Sequence, residues 1–436
     1  MVGGFLSFTS LNPTTYSFAH TVNPANADSL KYAPLAPPFV NSPWSGSVAY
    51  PRGSITRRGN YTESVSSVFV GDEININKKL KVNVGLRYDW MQIIMNENKK
   101  PYDIRIKRIE NFKDWSGSIG MNYLVNSNNS FYANLNRAFR SPDYTAFTAL
   151  EWATATNQIL IKLPDGINQN ENIISFEAGY RAGFGDFNFD IAVFNTKINN
   201  RLATIFQNGV ATSVPFGSNK ITGGEISASY NSSAIKGLNI RSNVTFQKAV
   251  FTEFKVNIGK GGVFNSNGTT IVSTALNVDP NSNLYGQTLI NEGGGNYSID
   301  LKDKALPDIP ALIWNISANY THKYFGLDFS SNYNGARYAD PTELIKFGNL
   351  ITLNAGAFVK FTMKAKQEIR LGVQVKNLSN NQSVQNITGL GASDQAIGQK
   401  QKTPDWKFTS STATDIWGQG YVQLPRRILI SLGFDF

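Results

Sequence analysis

The sequence predicts an all-β protein, an antiparallel transmembrane β-barrel, and three observations predict it. Apolar and polar residues alternate with a period of two along many segments. The links between those segments alternate between tight and long, and the chain ends on a strand with apolar residues at every second position. No run approaches the ~18 consecutive apolar residues of a membrane-spanning helix.

The alternation is clearest in Leu80-Lys81-Val82-Asn83-Val84-Gly85-Leu86-Arg87-Tyr88-Asp89-Trp90, where one face is wholly apolar or aromatic and the other is Lys, Asn, Gly, Arg and Asp. Phe187 to Val193 and Ile369 to Lys376 repeat the pattern. Side chains that alternate at 180° per residue belong to strands. Strands are therefore expected near residues 64–77, 80–94, 112–125, 130–140, 172–184, 186–199, 218–231, 238–252, 310–322, 324–336, 348–362, 367–378 and 421–436.

Between them, tight links at Lys78-Lys79, 126–129, Gly185, 232–237, Lys323 and 363–366 alternate with long ones at 95–111, 141–171, 200–217, 253–309, 337–347 and 379–420. Outer-membrane barrels place short turns at one rim and long loops at the other; a soluble sandwich has no reason to sort its loops. Most of these strands also exceed the ~5–6 residues usual in soluble sheets and reach the ~9–11 that a tilted membrane strand needs.

The solvent fixes which way each strand faces. Arg or Lys on the lipid face at the midplane costs ~2–4 kcal/mol. A one-residue slip of the 369–376 strand would turn Arg370 and Lys376 toward lipid, so they are expected inside, with Lys81, Arg87 and Asp89, as a solvated ladder on the lumen wall. Tyr88, Trp90, Trp115, Tyr123, Trp314 and Tyr320 lie near strand ends, as interfacial girdles would.

Composition narrows the function. The 436 residues carry a net charge of +10, no cysteine and two histidines, His20 and His322. Without cysteine there are no disulfides or thiolate metal sites, and two distant histidines argue against a zinc or haem site, so no cofactor is expected. The basic residues are scattered, with no recognition helix or basic tail. That argues against a nucleic-acid partner and for anionic lipopolysaccharide or an anionic ligand. The first residues, MVGGFLSFTSLNPTTYSF, lack the basic and apolar regions of a signal peptide, so a fragment of a longer precursor is expected.

Ile428, Ile430, Leu432, Phe434 and Phe436 alternate to the end of the chain. This resembles the C-terminal signal that barrel-assembly machinery reads in outer-membrane proteins. From about Gly59 onward, further pieces resemble the TonB-dependent receptor family. They are Ser64 to Asn77 turning through Lys78-Lys79, Arg137-Ala138-Phe139-Arg140-Ser141-Pro142, Phe176-Glu177-Ala178-Gly179-Tyr180-Arg181, Gly372 to Leu378, and Leu424-Pro425-Arg426-Arg427.

The resemblance implies a 22-stranded barrel plugged by an N-terminal domain, which imports a scarce nutrient such as a siderophore, cobalamin or an oligosaccharide with energy from TonB. About 13–14 strands are present here, with no plug and no TonB-box segment in front of them. The expectation is thus a barrel portion over 61–436, preceded by an external loop or strand remnant over 1–60, that reaches TonB only through a missing plug. Ligand contacts in such receptors come from loops and lumen. Trp152, Trp406 and Trp417, with Tyr32 and Trp44, are the loop aromatics that could stack on a ligand.

Asp279-Pro280-Asn281-Ser282-Asn283 begins like a calcium loop but has Leu284 and Ile290 where Gly and Glu are required. No phosphate loop or nucleophile elbow appears, and an enzyme is not expected. Two alternatives stay open: a passive channel of about fourteen strands, and an outer-membrane hydrolase with acid–base residues at the external rim.

Overall fold

The computed structural model describes residues 2–11, 14–17, 54–99, 104–142, 151–153, 158–160, 169–207, 210–215, 217–260, 289–293, 296–339, 341, 343, 346–362, 367–388, 400–402, 408–410 and 419–435. They form one large antiparallel sheet in which each strand pairs with the next in the chain. In order the strands are β1 Val2–Leu11, β2 Ser54–Asn75, β3 Leu80–Lys99, β4 Ile104–Asn126, β5 Asn129–Arg140, β6 Glu171–Phe184 and β7 Phe187–Asn199. Then follow β8 Ser218–Asn231, β9 Leu238–Glu253, β10 Leu312–Thr321, β11 Phe325–Asn334, β12 Leu350–Thr362, β13 Glu368–Lys376 and β14 Arg427–Asp435. A short strand, Thr14–Ser17, extends the β1 pairing along the outer part of β2. The sheet is open between β1 and β14 among the described residues.

Among the described residues the turns at 76–79, 127–128, 185–186, 232–237 and 322–324 lie at one rim, and the long connections lie at the other, where β3 and β4 are joined by four residues only. Asn77 folds the first turn: its Oδ1 accepts the backbone N–H groups of Lys79 and Leu80 at 2.8 and 3.0 Å. Gly185 makes a one-step turn in the left-handed region at φ 57°, which glycine reaches without a Cβ penalty. Small satellite sheets, such as Lys255–Lys260 with Asn296–Asp300 and Leu289–Gly293, occupy the long connections.

Pairing partners in a register share a face, so each strand's orientation can be read across the whole sheet. Val68, Leu86, Ile119, Leu135, Phe176, Val193, Ile226, Phe246, Leu327, Val373 and Ile430 all point outward and are exposed. That is the wrong face for water and the right one for acyl chains. Tyr88, Trp90 and Trp115 lie outward toward the long loops, and Tyr123 and Phe131 toward the tight turns. Trp314 and Tyr320 share the outward face, Trp314 stacked on Tyr333 with ring centroids 4.2 Å apart.

Three regions differ from expectation. The strand expected from 64 begins at Ser54, because β2 runs on beside the long β3. The pair β3–β4 runs on through 95–111, with Lys99 opposite Ile104, where a long loop was expected. Above the bilayer the outward face has no lipid to match, so a strand there can be polar on both faces, and Glu97-Asn98-Lys99 reads as loop. The terminal strand begins at Arg427 rather than 421. Gln419–Val422 pairs instead with Val384–Thr388, and Pro425, which has no N–H to donate to a ladder, separates the two.

Candidate functional site

The inner face is where a solute would meet this protein, and it has two layers. Toward the tight turns it is polar and uncharged over wide stretches, with Asn83, Asn122, Asn134 and Asn243 at inward register positions. Asparagine and serine keep such a wall wet without fixing a charge. Set into it are groups of paired ions.

The first lies on β2 to β4. Arg87 and Asp89 are two apart on β3 and so share a face, and Ser67 is the cross-strand partner of Asp89. Arg87 Nε and Nη2 donate to the Asp89 carboxylate at 2.8 and 2.6 Å, and the buried Ser67 hydroxyl donates to it at 2.6 Å. Asp114 is Asp89's partner on the other side, so two carboxylates sit abreast. From β5, where register puts it on the outward face with Leu135, Arg137 reaches around to Asp114 with Nη2 at 2.8 Å while its guanidinium lies 4.2 Å from the outward Trp115 ring. Asn170 Nδ2 donates to Asp114 Oδ2 at 2.9 Å, which fastens the end of the 141–170 connection onto the wall. Arg137 and Asn170 hold Asp114, and Arg87 holds Asp89.

A second group lies on β5 to β7. Tyr132 Oη donates to Asp190 Oδ1 at 2.9 Å, Arg181 Nε donates to Asp190 Oδ2 at 2.7 Å, and the Arg181 guanidinium stacks 4.2 Å over the Tyr132 ring. The ring has room only because its cross-strand partner is Gly179. Phe358 lies across Gly326 in the same way, with Arg370 stacked 3.5 Å over it.

Nearer the long loops the inner face turns apolar. Tyr61, Ile93 and Phe112 are buried there on β2 to β4. Beside the end of β9, residues 301–306 pair along its edge: Leu301 N donates to Phe254 O at 2.8 Å, and Leu306 N to Ala249 O at 3.0 Å, with Ala305 bridged to Val250. Phe251, Phe254, Leu301 and Leu306 close into a dry cluster. Glu343, from the next long connection, ties this segment down by accepting Ala305 N at 2.7 Å and pairing with Lys304 at 3.3 Å. The Arg140–Glu171 pair, at 2.9 Å, marks the same rim beside Arg201, whose guanidinium burial pulls below its usual range while Glu171 opposes the shift.

Residues 6–378 match the family model described as TonB dependent receptor-like, beta-barrel. The chain belongs to this family. Among solved structures, the receptor barrel is similar to the siderophore receptor PiuA from Acinetobacter baumannii at 15% identity, covering 86% of this chain and 43% of that one, with a TM-score of 0.56. The ferric yersiniabactin uptake receptor FyuA from Yersinia pestis gives 13% identity, 87% and 47% coverage and a TM-score of 0.55. The ferric citrate transporter FecA gives 13% identity, 90% and 48% coverage and 0.57. The receptor barrel thus spans about half the length of these structures, and at such identity the likeness shows the fold. No curated protein matches its sequence.

Of the residues expected to form the lumen ladder, Lys81 pairs with Glu73 at 3.2 Å, Arg87 with Asp89, and Arg370 with the Phe358 ring. Lys376 faces inward opposite Arg427. Trp152 lies in a short hairpin opposite Ile159. Trp406, Trp417, Tyr32, Trp44, the 279–283 segment, His20 and Phe436 lie outside the described residues. His322 sits in the β10–β11 turn against Phe325.

The sequence reading missed Asn377, which closes β13 at φ 53°, in the left-handed region asparagine tolerates. Its buried Nδ2 donates to Asn381 O at 2.7 Å and Leu424 O at 2.8 Å, so it clamps both ends of the 379–426 connection. Asn377→Ala is expected to cost ~1–3 kcal/mol, because two carbonyls lose a buried donor. Limited proteolysis should then cut the 379–426 region much faster than any tight turn.

The rim also carries a pH dependence. Burial pushes the Asp308 carboxyl up, and Arg337, 3.7 Å away, only partly offsets it. A carboxyl raised in the fold stabilises it below the unfolded pKa, and that contribution is lost as pH rises through the folded value. Asp308→Asn should therefore flatten the rim's protease sensitivity above about pH 4, and an unchanged pH profile would count against it.

Proposed function

We propose that this barrel forms the wall of an outer-membrane importer for a scarce nutrient, in the class of ferric siderophores, cobalamin or oligosaccharides, energised by TonB through an N-terminal plug. The observation that carries this reading is the external rim, where buried apolar and aromatic residues of the strand ends and of the 301–306 segment lie above a polar lumen wall studded with paired ions. A passive pore has no use for such a layer, whereas a receptor needs a surface that grips a large solute before passing it to a wet channel. The names of the similar structures, a siderophore receptor and two ferric-chelate transporters, favour an iron chelate first. Trp152, Trp406 and Trp417 are assigned to stack on that ligand. The alternation ending in Phe434 and Phe436 is assigned to recognition by barrel-assembly machinery.

Cells lacking the gene that encodes this chain should lose uptake of one ferric chelate from a panel of radiolabelled siderophore complexes, and cells lacking TonB should lose the same one. Uptake that persists without TonB would sink the energised reading and favour the passive channel.

A further inference from the structure

Outward positions near the long-loop rim should be apolar or aromatic, yet on β7, β8 and β9 they carry three lysines. Lys197 and Lys220 are direct cross-strand partners. Thr222, two residues from Lys220 on the same face, is the partner of Lys248, so Lys248 lies diagonally from Lys220. Direct partners have Cα atoms ~4.5–5.5 Å apart and diagonal ones ~7–8 Å, so the three ammonium groups share one patch. All three are exposed, and none makes an ion pair among the described residues. In their midst Asn195 Nδ2 donates to Thr222 Oγ1 at 2.8 Å, a polar floor between the cations.

Like charges opposite each other in a sheet are destabilising, so their persistence calls for an anion from outside. Position says which. Directly toward the tight turns, the same face carries Val193, Ile191 and Phe189 on β7, Ile226 on β8 and Phe246 on β9, an unbroken apolar band. Lys248 stands one pleat above Phe246, ~6–7 Å along the strand, and Lys197 two pleats above Val193. Cations at that height meet the headgroups of the lipids whose acyl chains cover the band.

We propose that Lys197, Lys220 and Lys248 form a docking site for the phosphate groups of an outer-leaflet glycolipid, with Asn195 and Thr222 available to its sugar hydroxyls. This rests on the reading of the long-loop rim as the cell-surface side. The acyl chains lie on Phe246 and Val193, and the phosphates bridge the lysines, relieving their mutual repulsion.

The test uses the full chain in detergent micelles, titrated with lipid A and followed by native mass spectrometry. A basic residue near an anionic surface contributes roughly fivefold in affinity, so Lys197→Gln/Lys220→Gln/Lys248→Gln should lose on the order of a hundredfold. A charge-matched control, Lys81→Gln/Lys360→Gln/Lys376→Gln on the inner face, should bind as the parent does. Dephosphorylated lipid A should bind both triple variants equally, and inorganic phosphate should not compete. Lys220→Gln alone, expected to lose about fivefold, serves if the outer triple variant does not fold. Equal losses on the two faces, no loss, or competition by inorganic phosphate would each overturn the site while leaving the importer reading intact. Failure of the parent chain to insert into lipid vesicles would overturn both.

Discussion

Replacing Ile191 with arginine is expected to cost ~2–4 kcal/mol and to prevent stable insertion of the barrel into lipid vesicles. Ile191 lies in the middle of the outward apolar run of β7, between Tyr180 on β6 and Ile226 on β8. A guanidinium there meets acyl chains from every side and has no carboxylate on its own face to pair with. The control is one face away. Asn243 points inward between Ser227 and Asn315, and Asn243→Lys should change stability by less than about 0.5 kcal/mol, as surface substitutions usually do. The two variants add one charge each, so only the direction of the side chain distinguishes them. Urea unfolding from vesicles reads the difference, and equal destabilisation would mean that the assigned faces are wrong.

The second large effect is expected at Gly179. A Cβ there would fall inside the contact distance of Tyr132 Cζ and Oη. Gly179→Val must therefore displace the ring, which separates Tyr132 from Asp190 and removes the surface on which Arg181 stacks. Overpacking costs ~1–3 kcal/mol, and loss of the buried hydrogen bond adds ~1–3 kcal/mol. Tyr132→Ala, destabilising alone, should restore tolerance to the Gly179→Val substitution and give a favourable coupling in the double-mutant cycle. Additive losses would show that ring and glycine do not compete for the same space.

The barrel was legible in the sequence because its solvent writes a simple rule. Within the lipid band every second residue must be apolar, and Leu80 to Trp90 or Phe187 to Val193 can hardly be read otherwise. The rule lapses where the lipid does. That is why the upper reaches of β3 and β4 passed for a loop, and why the apolar inner layer of Tyr61, Ile93 and Phe112 could not be foreseen.

The paired ions were half legible. Arg87 and Asp89 are neighbours on one strand and were placed together on the lumen wall. Tyr132 and Asp190 are 58 residues apart, and only the register of β5, β6 and β7 makes them touch. Asn377 carried no signal beyond its type, since its role depends on where Leu424 returns. The lysines of the outer face were visible as letters, but their grouping depends on the pairing of three strands.

Because every strand of the sheet pairs with its immediate successor, no contact in the wall has to wait for a distant segment to arrive. Each tight turn closes a hairpin for a small loss of loop entropy, and each finished hairpin presents a ready edge to the next. Such a chain has low contact order where its turns are short and higher contact order only across its long loops. Its folding rate should therefore respond to the length of the connection between β9 and β10 far more than to substitutions within the wall.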